Sequence, residues 1–144
     1  MNKFFSSNPI GQDSGLFLVR ITLSVFLLIH GMEVFDPEKM KNYLSWDVFK
    51  SSSILPYIGK VAEFIAGILL LLGLFTRLAC LVVIGTFSYI TFFVGKGKFW
   101  MDDQHPFLFV LLAFVFLFMG GGKLSLDNLL FKNRSNARHH TSKY

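Results

Sequence analysis

The sequence predicts an all-α integral membrane protein, a four-transmembrane-helix bundle with short interfacial helices. Three observations lead there. Of 144 residues, 53% are hydrophobic and only 16% charged, with a mean hydropathy of +0.53, too apolar for a soluble domain of this length. The apolar residues gather into four long runs, at about residues 16–32, 58–75, 78–94 and 106–122. These runs lack the polar alternation and the roughly ten-residue length of barrel strands. They approach the roughly 20 residues a helix needs to cross about 30 Å of hydrocarbon.

Pro9, Gly11 and Gly15 punctuate the chain before the first run, whose ionisable residues are Arg20 inside and His30 towards its far end. No cleavable signal pattern follows it, so the first span is expected to be retained. Asp36, Pro37 and Glu38 then read as an N-cap, a first-turn proline and a first-turn acid. The short helix they start places Met40, Tyr43 and Leu44 on one face, as suits the outer membrane surface, where Tyr43, Trp46, Phe49 and Tyr57 fit an aromatic belt. Pro56 opens the second run, which carries Glu63 in its first turns. Thr76 and Arg77 are expected to form a tight link to the third run, which holds no charge. The fourth starts at Pro106 and stops at Gly120, Gly121 and Gly122. Ser125 is expected to cap a last amphipathic turn bearing Leu126, Leu129 and Leu130. Residues 1–131 read as one domain and 132–144 as a basic, disordered cytoplasmic tail.

An even number of spans puts both termini on one side. Lys123, Lys132, Arg134, Arg138 and Lys143 make that side cytoplasmic by the positive-inside rule, although the opposite loops also hold lysines. The expected arrangement is therefore multi-pass, N-in and C-in, in a left-handed bundle. The net charge of +5 is scattered apart from the tail, which favours a lipid surface as partner and not nucleic acid. The single cysteine, Cys80, excludes a disulfide framework, a thiolate zinc site and an iron–sulfur cluster built within this chain.

Ionisable residues inside spans are costly and therefore candidate functional residues. Span direction sorts them into two groups. His30, Glu33, Glu63 and His105, with Asp102 and Asp103, fall at the outer end. Two imidazoles beside carboxylates suit a metal ion, a quinone head group or a proton relay, although no metal-ligand spacing is present and no metal is assigned. Glu63 shares a helical stripe with Gly59, Ala66 and Gly67, small residues that let a neighbouring helix approach and turn Glu63 inward. Arg20, Arg77, Lys123 and Asp127 fall at the inner end. Arg20, Arg77 and Asp127 are candidates for structural ion pairs, with Arg20 to Asp127 tying the last span to the first, and Arg20 is also a candidate ligand residue.

The chain resembles the DoxX family of small four-span membrane proteins from about Gly15 to Leu130. The likeness is carried by Arg20, the His30–Gly31 pair and Glu63 followed by Gly67-Ile68-Leu69-Leu70-Leu71-Leu72-Gly73-Leu74-Phe75-Thr76-Arg77. Further on, His105-Pro106-Phe107-Leu108 and Gly120-Gly121-Gly122-Lys123-Leu124-Ser125-Leu126-Asp127 continue it. The chain departs from the pattern where Glu33 and Val34 stand in place of a lysine common in the family, and where Gly121 replaces a proline. The resemblance implies an accessory subunit of a quinone-linked membrane redox system, with redox-enzyme subunits as partners, a homo-oligomer as a further option, and no catalytic residue set to carry over. A quinone contact is expected and no intrinsic cofactor. The alternative is a small-molecule binding, transport or assembly protein without redox chemistry. A stand-alone enzyme is least favoured, since no nucleophile–base pair or phosphate loop is present.

Overall fold

The structure is a computed structural model that describes residues 11–130. Among these residues every regular element is helical. Helix α1 spans Gln12–Gly31 and tightens into a 3-10 turn at Met32–Phe35. Helix α2 is Pro37–Leu44, α3 is Leu55–Leu72, and α4 is Thr76–Tyr89, continued by a π-helical turn at Ile90–Val94. Helix α5 spans Gln104–Met119, and helical backbone resumes over residues 126–130. The basic tail expected at 132–144 lies outside the described residues.

Three segments are long and apolar enough to cross a membrane: Gln12–Phe35, Leu55–Leu72 and Thr76–Val94. Helix α5 is equally apolar but has 16 residues, about 24 Å at 1.5 Å per residue. The outward faces of the helices are apolar too. Leu18, Ile29, Ile65, Leu78, Phe93, Phe118 and many others stand exposed, as lipid-facing side chains do.

Each long helix packs antiparallel to its neighbour. Helix α1 lies on α3, α3 on α4 and α4 on α5, with a lighter contact between α1 and α5. The core between them is formed by Leu23, Leu27, Ala66, Leu70, Ala79, Cys80, Val83, Phe87, Phe109, Val110, Ala113 and Phe116. Without a hydrophobic drive between helices in lipid, close backbone approach supplies the packing energy. Two glycines make it possible. A Cβ on Gly31 would sit 2.5 Å from the backbone of Phe64, and one on Gly67 would sit 3.0 Å from Leu28. Buried hydroxyls in this apolar layer bond back along their own helices: Ser24 donates to the Arg20 carbonyl (2.6 Å) and Thr91 to that of Phe87 (2.8 Å).

The α3–α4 hairpin turns earlier than the sequence reading placed it. Helix α3 ends at Leu72, Gly73 takes a left-handed conformation (φ 65°), and the Leu74 N–H returns to the Leu69 carbonyl. Thr76 and Arg77 are thus the first turn of α4 and not the link. Helix α5 likewise begins two residues before Pro106, because the Asp103 carboxylate gathers the preceding loop by accepting from the backbone N–H groups of Lys96 and Lys98, both at 2.9 Å.

At the hairpin end Asp127 accepts hydrogen bonds from the N–H groups of Phe75 (2.7 Å) and Thr76 (2.8 Å), satisfying the start of α4, while its own N–H donates to the Gly73 carbonyl (2.9 Å). Arg20, 1% exposed, reaches the same region and donates to the Leu124 carbonyl. Its guanidinium fills the space where Gly73 and Gly121 lack side chains. The expected Arg20–Asp127 ion pair does not form among the described residues: Arg20 reaches the Leu124 carbonyl and Asp127 the N–H groups of Phe75 and Thr76, so each bonds to backbone instead.

Gly31→Ala is expected to destabilise the protein by about 1–3 kcal/mol, the usual cost of overpacking. A lower unfolding temperature in mild detergent would register it, with Gly59→Ala, where a Cβ meets no atom within 4 Å, leaving the temperature unchanged or raised.

Candidate functional site

The 3-10 turn after α1 bends the chain at the end of the bundle away from the hairpin, and α2 folds back over it. Asp36 caps α2 by accepting from the N–H groups of Glu38 (3.1 Å) and Lys39 (3.3 Å), so Lys39 and Tyr43 return towards Glu33. Close packing at Gly31 brings α3 alongside. Lys60, on the first turns of α3, then meets Glu33 at 2.9 Å and Glu63, one turn on, at 3.2 Å. Glu33 also accepts from the Tyr43 hydroxyl (2.7 Å) and from Lys39 (3.3 Å). The Lys60 ammonium lies 5.0 Å from the centre of the Tyr43 ring. Burial first, then the hydrogen bond to Glu33, raises the Tyr43 phenol above its ordinary pKa, which keeps it protonated and donating.

Glu63, 3% exposed, therefore rests in the apolar layer against a cation that a second carboxylate also holds. A chain of polar contacts runs from Glu63 through Lys60 and Glu33 to the exposed Lys39. The Lys60 ammonium thus faces both carboxylates and Tyr43.

Beside this group lies a cavity of about 540 Å³ between α3 and the second half of α4. Glu63, Lys60, His30 and His105 form its polar part. Tyr43, Trp46 and Phe49 close it towards the end of the bundle, and Leu81, Val82, Gly85, Tyr89 and Ile90 form the α4 wall. Leu81, Val82 and Gly85 are exposed on the outer surface of the bundle, so the cavity opens sideways, between helices, where lipid would lie. The α4 wall ends in the π-helical turn, a distortion that often accompanies binding sites.

His30 and His105 face each other with ring centres 5.8 Å apart, and both contact Phe109. The four outer residues singled out in the sequence, His30, Glu33, Glu63 and His105, thus fall at one end of the bundle, three of them lining the cavity and Glu33 behind Lys60. Asp102 is exposed and Asp103 fastens its loop, so neither joins them. Among the described residues no three His, Cys, Asp or Glu side chains converge on a metal-sized position. Arg20 lies at the opposite end. Arg77 is exposed on a wider cleft there, without an ion pair among the described residues, while Lys123 pairs with Asp13 at 2.7 Å. Gly59, expected to pack against a helix, instead lines the cavity.

Sequence reasoning passed over Lys60 and Gly85. The signal for Lys60 was available: it stands three residues before Glu63 on the same helix face. Nothing in the sequence marked Gly85, whose role depends on where α3 lies.

Lys60→Met leaves Glu63 without its cation and is expected to lower stability by about 1–3 kcal/mol, the cost of an unsatisfied buried group. Adding Glu63→Gln should recover most of the loss, since Glu33 keeps Lys39 and Tyr43. Thermal unfolding of the single and double variants in detergent measures both effects.

A family model described as DoxX matches residues 15–96, from the first turn of α1 to just past the π-helical turn. A protein of Haemophilus influenzae, described as an uncharacterized protein, is 37% identical over 82 residues, covering 52% of this chain and 61% of that protein. The chain thus spans about three-fifths of the length of the curated relative it matches. No solved structure matches it. The matched stretch carries Arg20, His30, Glu33, Lys60 and Glu63, with the helices that position them, and covers more than half of the sequence. The chain belongs to the DoxX family and is a membrane protein.

Proposed function

We propose that this protein is an accessory subunit of a quinone-linked membrane redox system, holding a quinone-type head group beside Glu63 and having no catalytic centre of its own. One observation carries the reading: a cavity open sideways to lipid, walled by aromatic and aliphatic side chains, with the charged pair Lys60 and Glu63 in it. The chemistry of the residues fits such a head group. The Lys60 ammonium can donate to a ring carbonyl, Glu63 can accept from a ring hydroxyl, and each imidazole can do either. Bound there, the quinone would supply the redox chemistry, its electrons passing to or from a partner subunit. The chain's own residues bind the ring, orient it and shield it from water.

In this reading α5 is a fourth span, completed by the glycine run that follows it, and the protein lies N-in and C-in in the bacterial inner membrane. Lys123 and the cations beyond residue 131 support that orientation. A second reading, binding, transport or membrane assembly without redox chemistry, rests on the same cavity, which suits other amphiphiles of its size.

Wild type and Glu63→Gln, purified in mild detergent, should differ in the lipophilic molecules they retain, measured by mass spectrometry of an organic extract. Quinone in the wild type and a several-fold loss in the variant is the expected result. A different amphiphile lost in the same way would favour the second reading, and equal retention in both would remove the cavity from the account. For topology, a C-terminal fluorescent-protein fusion should fluoresce and a periplasmic-phosphatase fusion at the same point should be inactive.

A further inference from the structure

Five glycines lie within the long helices, and they divide by what surrounds them. Gly31 and Gly67 touch a neighbouring helix, and Gly15 sits in the first turn of α1. Gly59 on α3 and Gly85 on α4 are different. A Cβ at either would meet no atom within 4 Å, yet both line the same cavity. Glycine inside a helix is unfavourable by about 1 kcal/mol relative to alanine in water, and no packing contact explains its presence at these two positions.

Their placement gives a reason. Helices α3 and α4 run antiparallel from the hairpin at Gly73, and Glu63 and Gly85 lie about equally far from it along their helices, hence at one depth. Gly59 lies one turn from Glu63 on the same face of α3, beside Lys60. Nearer the hairpin the two helices are joined by the core residues Ala66, Leu70, Ala79, Cys80 and Val83. Beyond Val83 they bound a slot whose walls at these two glycines are bare backbone, with the exposed Gly85 at the lateral mouth and the Lys60–Glu63 pair beside Gly59.

We infer that Gly59 and Gly85 set the width of this slot, and that a flat ring enters it sideways from the bilayer and lies face-on against the backbone at both positions. The inference rests on the proposed function and adds two specificity-determining residues and a route of entry. A ring face needs walls without side chains, whereas an acyl chain tolerates small side chains at either position. The surrounding Tyr43, Trp46, Phe49 and Tyr89 complete an aromatic frame for a planar occupant.

The test uses full-length protein in lipid nanodiscs, with decylubiquinone as the probe and quenching of the intrinsic tryptophan fluorescence as the signal, since Trp46 lines the cavity. Gly59→Ala, Gly85→Ala and Gly85→Leu are compared with wild type, and each variant's unfolding temperature is recorded. The alanine variants should fold as well as wild type and bind several-fold more weakly, and Gly85→Leu should lose about tenfold or more, as a filled pocket does. Should Gly85→Leu fail to fold, the two alanine variants carry the test. Wild-type affinity in folded alanine variants would overturn the inference while leaving the proposed function standing. Absence of probe binding by the wild type itself would overturn both.

Discussion

Lys60 stands between two carboxylates, Glu33 from the turn after α1 and Glu63 from its own helix, and the cavity end of the molecule is organised around it. A carboxylate as buried as Glu63 carries a desolvation cost of several kcal/mol unless a cation and hydrogen bonds offset it. Lys60 offsets it from one turn back on the same helix, and because α1 ends where it does Glu33 adds a second carboxylate to Lys60; α2 folds back so that Tyr43 shares the Glu33 oxygen that Lys60 meets and Lys39 takes the other. The close contact at Gly31 brings α3 alongside. Removing Lys60 leaves Glu63 an unpaired charge in the apolar layer, whereas Glu33 and its partners on α2 join three elements around that one cation.

The two ends of the bundle are built differently. At the hairpin end, Asp127 caps α4, Gly73 turns the chain, and the Arg20 guanidinium fills the volume left by two glycines, so backbone and side chain interlock tightly. At the other end α3 and α4 diverge around the cavity, α4 loosens into a π-helical turn, and glycines face open volume instead of a neighbour. One end fastens the helices and the other holds space between them. Accepting a lipophilic molecule from the bilayer, as proposed, would use both, since a fastened end lets the helices stand apart at the other.

Much of this was legible in the sequence. Apolar runs in a chain with few charges specify membrane helices, and Asp36-Pro37-Glu38 specified the start of α2 because capping chemistry is local. Span direction also gathered His30, Glu33, Glu63 and His105 at one end, since depth follows from counting residues along a helix. The errors have physical sources. Hydropathy does not see that Gly73 ends α3, so the link was placed at Thr76 and Arg77. Small residues on one stripe do not reveal which of them meets a helix: Gly67 does, Gly59 does not, and Gly31 was not singled out as a contact. Arg20 and Asp127 share a depth, as expected, but whether they touch depends on side-chain and backbone geometry that charge alone does not determine. Lys60 drew no attention in the sequence, and only the position of Glu33 in space makes it the centre of a network.

The central question is where a bound molecule sits. The most direct measurement is a structure of the protein in nanodiscs saturated with a short-chain quinone, determined by electron cryomicroscopy with a rigid fiducial fused to the chain. Ring density is expected between α3 and α4 at the level of Gly85, with an oxygen within hydrogen-bonding distance of Lys60 or Glu63. Ring density elsewhere on the molecule, or an acyl chain in the slot with the ring absent, would contradict that placement.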